Sequence, residues 1–188
     1  MLQPEDDKYR DSLTEQRICV ACGLCCDGTL FERATLQPGE KGTLPDKMDM
    51  NYFRIRDVEY FRLPCPYFRE KCTIYDQKKA IVCSAFRCRV LDDLTERKVT
   101  EQDAMETVKR AVEMRNEIQK LHSAVSGREE PLFFREILHF LGRIFREMPG
   151  GTGPNANYEI LLARCNIFQS LLTRYFQPSQ EFEKLIMK

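Results

Sequence analysis

The chain has 188 residues with 29 basic and 29 acidic side chains, a pI near 6.7 and nine cysteines. That balance removes the electrostatic case for binding nucleic acid or an anionic membrane. No apolar run approaches the roughly 20 residues a spanning helix needs, and the length suits one domain or two small ones.

Residues 1 to 16 form an acidic segment, with Glu5, Asp6, Asp7, Asp11 and Glu15 against Lys8 and Arg10. Acid stands where a secretory signal would carry base, and no apolar stretch follows, so the expected compartment is a reducing cytoplasm.

Cys19, Cys22, Cys25 and Cys26 then fall within eight residues, and Cys65, Cys72, Cys83 and Cys88 follow, so eight of the nine cysteines lie in the first half of the chain. A reducing compartment argues against a disulfide framework. Isolated core thiols have no reason to recur as C-x2-C-x2-C-C. Soft thiolates at this spacing point instead to metal. Cys19, Cys22 and Cys25 reproduce the local three ligands of an iron-sulfur loop, whose fourth ligand lies elsewhere. Zinc knuckles space their cysteines by two to four residues in two pairs, whereas the second group here is separated by six, ten and four. An iron-sulfur cluster of the 4Fe-4S kind is therefore the expected cofactor, with zinc the alternative. A single cluster takes four thiolates, so the candidate ligands Cys19, Cys22, Cys25, Cys26, Cys65, Cys72, Cys83 and Cys88 serve two centres, or one centre with spare thiols. The adjacent Cys25 and Cys26 point in different directions in most backbone conformations, which suits either arrangement.

The pattern resembles the zinc- or iron-chelating CxxCxxCC cysteine-cluster (YkgJ-like) family, to which the flagellin lysine N-methylases are related. The resemblance is carried by Cys19 to Cys26 with Gly23 before the third cysteine, by Cys65-Pro66-Tyr67-Phe68, by Cys72-Thr73-Ile74-Tyr75, and by Cys83 and Phe86 with Cys88. It covers roughly residues 17 to 90. Gln77-Lys78-Lys79-Ala80 stands where the family often has Arg-Pro. The resemblance implies metal chelation and permits a methyl-transfer role, although the methylases are considerably longer chains.

Bases outnumber acids thirteen to nine over residues 17 to 90, a surplus suited to thiolates and a negatively charged centre. Arg17, Arg69, Lys71, Arg87 and Arg89 each lie within four residues of a cysteine. Between the cysteine groups, Gln37 to Gly42 predicts a turn and Asn51 to Phe61 a short strand or two. Closing the 38 residues between Cys26 and Cys65 costs about 3 kcal/mol plus a constant. A thiolate-metal site contributes on the order of 10 kcal/mol, so metal can hold these segments together.

Ala85, Phe86, Cys88, Val90, Leu91 and Leu94 predict a helix carrying Cys88. Thr100 with Asp103 predicts the N-cap of a helix of roughly 25 residues ending at Gly127. Pro131 suits the first position of a third helix, apolar over more than half its circumference, which runs to Met148. A fourth runs from near Asn157 to Phe176, and Ser179 caps a short last turn. The expected fold is thus mainly α, with an irregular cysteine-rich metal-binding domain over 17–92, containing short strands, packed on a helical bundle over 93–188. The apolar surplus on the bundle serves a core or a partner surface, either a second protomer or another protein.

Cys165 falls in register with Leu161, Leu162 and Phe168 and is expected to be a core thiol. His139 is expected to be packed, and His122 to sit as a cation near a helix end. Gly150 to Asn155 lacks both the Gly-Lys-Ser/Thr ending and the preceding strand of a phosphate loop. No substrate or general base is indicated.

Overall fold

The computed structural model describes residues 4–147 and 156–176, with side chains in the first helix described from Leu13 onward. The described chain is mainly helical, with a three-stranded antiparallel sheet and a two-stranded hairpin. It divides into two compact units, Met1–Val108 and Lys109–Lys188, and the division falls inside a helix rather than near residue 92.

In the first unit, α1 (Pro4–Cys22) runs without interruption across the expected boundary at residue 16. It stops at Gly23, whose φ of +63° is the left-handed conformation glycine adopts without strain. The Gly23 N–H donates to the Cys19 carbonyl at 3.2 Å, an αL-type cap on the helix. The Gly23 carbonyl then accepts from the N–H groups of Cys26 (2.9 Å) and Asp27 (3.0 Å), folding the cysteine loop into tight turns. Leu24 and Leu30 are fully buried beneath it.

The sheet has the order β1 (Arg33–Thr35), β3 (Val58–Arg62), β2 (Tyr52–Ile55). Phe53 and Tyr60 are paired in register across β2 and β3, with ring centroids 5.5 Å apart. The two strands expected between Asn51 and Phe61 are therefore present as a hairpin. The short helix α2 (Asp46–Met50) precedes it and places Met48 in the core. Leu36, Leu44, Met48, Phe61, Cys65, Ile74 and Ala80 form that core, with Cys26, Tyr67, Phe68, Cys72 and Val82 packed against it. Strands β4 (Phe68–Arg69) and β5 (Lys71–Cys72) form the second hairpin, in which Phe68 is the register partner of Cys72.

The expected single helix through Cys88 is broken into α3 (Val82–Ala85) and α4 (Arg89–Thr95). Phe86 turns extended, with ψ 127°, and Cys88 (φ −94°, ψ 163°) lies in the joint rather than inside a helix. The Phe86 ring packs edge-on against Phe31 with centroids 4.9 Å apart. A tertiary contact thus overrides the local helical pattern.

Helix α5 (Glu101–Ser126) follows, capped as its sequence predicts. Asp103 N–H donates to Thr100 Oγ1 at 3.1 Å, and Thr100 N–H donates back to Asp103 Oδ2 at 3.0 Å. At its far end Gly127 (φ +69°) donates its N–H to the Ser123 carbonyl.

The second unit contains the later turns of α5 with α6 (Phe134–Glu147) and α7 (Ala156–Tyr175). Each buries one stripe: Ala111, Ile118 and His122; Phe134, Ile137 and Leu141; and Leu161, Cys165, Phe168, Leu172 and Phe176 just beyond α7. Phe134 meets Phe168 edge-on, with centroids 4.8 Å apart. Cys165 is fully buried in its stripe, in keeping with a core thiol.

Helix α6 begins three residues later than Pro131 suggests, because the Glu136 carboxylate accepts the Phe133 N–H at 2.9 Å and caps the helix there. The histidines differ from expectation as well. His139 is exposed, whereas His122 is completely buried, edge-on to Phe140 at 4.9 Å, and neither of its ring nitrogens has a hydrogen-bond partner. Burial holds its pKa below 6.5, so it is a neutral core residue and not a helix-end cation. Gly150 to Asn155 and Ser179 lie outside the described residues.

Candidate metal centre

Three segments bring cysteines into one neighbourhood of the first unit. Helix α1 carries Cys19 and Cys22 one turn apart, so both lie on one helix face. The Gly23 turn redirects the chain through Cys25 and Cys26. An added Cβ at Gly23 would lie 2.6 Å from Cε2 and Cζ of Phe68, so the absence of a side chain there lets the 65–72 segment approach this closely. The Cys65 N–H donates to the Cys26 carbonyl at 2.7 Å, joining segments 38 residues apart. The Phe68 N–H closes a turn on the Cys65 carbonyl at 2.9 Å. The third segment supplies Cys83 within α3 and Cys88 at the start of α4.

The thiols sense each other. Burial raises the pKa of Cys22, and the neighbouring thiolates of Cys88 and Cys19 raise it further. Cys25 is raised by burial and then by Cys22, Cys26, Cys19 and Cys88. Cys26 is raised by burial and then by Cys65, Cys83, Cys19 and Cys72. Burial also raises Cys65 and Cys88, with smaller additions from Cys72 and Cys19 respectively. Cys83 is pushed up to about 12 by burial and by Cys65 and Cys72. Such thiols stay protonated at neutral pH until a cation replaces their protons. Cys165, by contrast, is pushed up to about 12 by burial with no thiol neighbour contributing.

Backbone N–H groups are directed at three of the sulfurs and favour their anionic form: Leu24 toward Cys22, Tyr67 and Phe68 toward Cys65, and Val90 and Leu91 toward Cys88. Amides aimed at sulfur orient and tune a thiolate ligand, and eight soft donors suit iron-sulfur or zinc. The donor set fits a thiolate-bound metal. As the side chains stand, no group of three or more His, Cys, Asp or Glu among the described residues is arranged to hold a metal ion.

The bases near the cysteines divide by role. Arg87 grips both oxygens of Glu15 at 2.7 and 2.9 Å and reaches Asp92 at 3.2 Å, tying α1 to the α3–α4 joint and holding the Glu15 carboxyl below its ordinary pKa. Arg17 pairs with Glu101 at 2.6 Å, and Arg69 donates to the Phe68 carbonyl. Among the described residues, Lys79 is a cation whose field reaches the thiols and opposes the rise at Cys19 and Cys83. Its ammonium donates to the Tyr75 carbonyl at 2.5 Å and lies 3.8 Å from the centroid of the Tyr75 ring. Lys79 meets the same four-residue criterion that singles out the other five bases, since it precedes Cys83 by four. Cys19 and Cys83 are also the exposed residues of the eight.

Glu40 braces the approach to Cys83. Its buried carboxylate accepts from Gln37 N–H at 2.6 Å and from Ile81 N–H at 2.7 Å, joining the 37–43 loop to the start of α3. Nothing in the local sequence of the loop marks that partner, 41 residues away.

Comparison of the chain with protein-family models, curated proteins and solved structures returned no match. Among the described residues no helix is long and apolar enough to cross a membrane.

Proposed function

We propose that the first unit is a metal-binding cysteine-cluster module that carries iron-sulfur, and that the protein acts as a redox or modification component in the cytoplasm. The observation that carries this reading is the convergence of eight thiols from three segments into mutual electrostatic range, with peptide N–H groups aimed at Cys22, Cys65 and Cys88.

When bound, an iron-sulfur group supplies a one-electron couple. The chain's own residues then orient and insulate it: Leu24, Phe68 and Ile74 exclude water from one side, while Lys79 offsets negative charge at the Cys19 and Cys83 edge. Those two exposed residues place the edge of the cysteine group within reach of solvent or a partner. The resemblance to the CxxCxxCC family supports metal chelation in the same segments. The second unit provides scaffold, or a surface for a protein partner or a second copy.

The test is elemental. Protein purified without oxygen is expected to contain iron and acid-labile sulfide and to show broad visible absorption that dithionite bleaches. A colourless, fully loaded zinc protein would move the assignment to the structural reading, and a preparation lacking iron, sulfide and zinc would reject both.

A further inference from the structure

The eight thiols are not one undivided group. Packing places three of them, Cys26, Cys65 and Cys72, together.

Cys65 belongs to the hydrophobic core of the first unit, Cys26 and Cys72 pack against it, and Val82 and Ala80 bring the approach to Cys83 into it. Cys19, Cys22, Cys25 and Cys88 are outside that cluster, and Cys83 joins it only through its backbone bond to Ala80. Hydrogen bonding agrees, since Cys65 N–H bonds the Cys26 carbonyl and Cys83 N–H bonds the carbonyl of the core residue Ala80 at 2.9 Å. Cys19, Cys22, Cys25 and Cys88 instead lie along one face of α1, its Gly23 turn and the α3–α4 joint, which Arg87 fastens to α1 through Glu15.

We propose that the chain holds two four-cysteine centres, one built from Cys19, Cys22, Cys25 and Cys88 and the other from Cys26, Cys65, Cys72 and Cys83, with the adjacent Cys25 and Cys26 divided between them. The inference rests on the metal-binding reading above and adds the number of centres and the ligands of each. Four soft thiolates complete a 4Fe-4S cluster or one tetrahedral zinc, so neither set needs a ligand from the other. Successive side chains diverge along the backbone, so a Cys-Cys pair serves neighbouring centres more readily than one shared ion.

The experiment is metal stoichiometry on the full chain, reconstituted without oxygen with iron and sulfide. Wild type is expected to bind about eight iron and eight sulfide per chain, twice the content of one 4Fe-4S cluster. Cys22→Ala and Cys88→Ala each remove one half and leave the same residual spectrum, while Cys65→Ala and Cys83→Ala remove the other half. Cys22→Ala combined with Cys65→Ala binds none. On reduction by one electron per centre, wild type should give a magnetically coupled paramagnetic signal, and each single variant an uncoupled one. Two variants per set keep the test valid if one fails to fold, which far-ultraviolet circular dichroism reports. One cluster in folded wild type, or Cys88→Ala removing the same half as Cys65→Ala, overturns the partition while leaving the metal reading intact. Two zinc ions that fall to one in each variant would preserve the partition and overturn the iron-sulfur reading. Absence of any metal overturns both.

Discussion

Gly23→Ala tests whether the cysteine loop and the 65–72 segment depend on one close approach. The substitution carries two separable costs. Holding alanine at φ +63° costs about 1 kcal/mol relative to glycine. The new methyl would also lie 2.6 Å from two ring carbons of Phe68. Carbon pairs settle at about 3.5–4.0 Å, so the ring must retreat by about 1 Å. Phe68 cannot do so freely, because it packs against the core beside Cys26 and Cys72. Overpacking of this kind costs about 1–3 kcal/mol, giving a combined loss of about 2–4 kcal/mol.

For a unit of this size that loss lowers the melting temperature by about 8–32 °C. The assay is thermal unfolding of metal-loaded protein followed by tyrosine near-ultraviolet circular dichroism, since most of the tyrosines lie in the first unit and the chain has no tryptophan. Introducing Gly23→Ala into a Phe68→Leu background should cut the added penalty to about the 1 kcal/mol of the backbone. A melting temperature within about 2 °C of wild type would refute the reasoning, given the 4–8 °C expected per kcal/mol. So would a penalty that is unchanged by Phe68→Leu.

Three further outcomes are expected. Removing all metal should open residues 17–90 to protease while leaving the helices of the second unit protected; equal resistance of loaded and metal-free protein would show that the first unit does not rely on metal. Lys79→Gln should weaken metal retention against a competing chelator by roughly five- to tenfold through loss of a nearby positive charge, and Lys79→Arg should restore most of it; an unchanged competition curve would remove Lys79 from the centre. His122 is held below its ordinary pKa of 6.5 by burial, with Arg128 adding to the effect, so the unfolded chain takes up its proton first as pH falls. The stability of the second unit should therefore be insensitive to this group above about pH 6.5 and decline below it. His122→Leu should flatten that decline in helical melting curves, and an identical pH profile in the variant would contradict the burial argument.

Much of the helical fold is legible because its signals are local. Thr100 and Asp103 cap α5 from within four residues, and Gly127 ends it. The break between α3 and α4 is not local: it accompanies the packing of Phe86 on Phe31, 55 residues earlier in the chain. The roles of the two histidines were available from helical period. His122 follows the buried Ile118 by four and continues its stripe, whereas His139 follows the buried Ile137 by two and falls off it. Proximity to leucine and phenylalanine in sequence says little about facing them in space.

The candidate centre shows the same division more sharply. Spacing singles out eight thiols and excludes Cys165, because ligand loops and helical registers are short-range patterns. It leaves their grouping open, because Cys26 meets Cys65 across 38 intervening residues and Cys88 reaches the α1 set through a helix break that local propensity conceals. The Cys25-Cys26 pair is where these two kinds of information meet. Gly23 turns the chain so that Cys26 enters the core with Cys65 and Cys72, while Cys25 stays with the residues of α1. Two adjacent thiols that spacing alone would assign to a single loop thereby fall to different sets, and the side-chain-free turn at Gly23 is what brings both sets within reach of one short stretch of backbone.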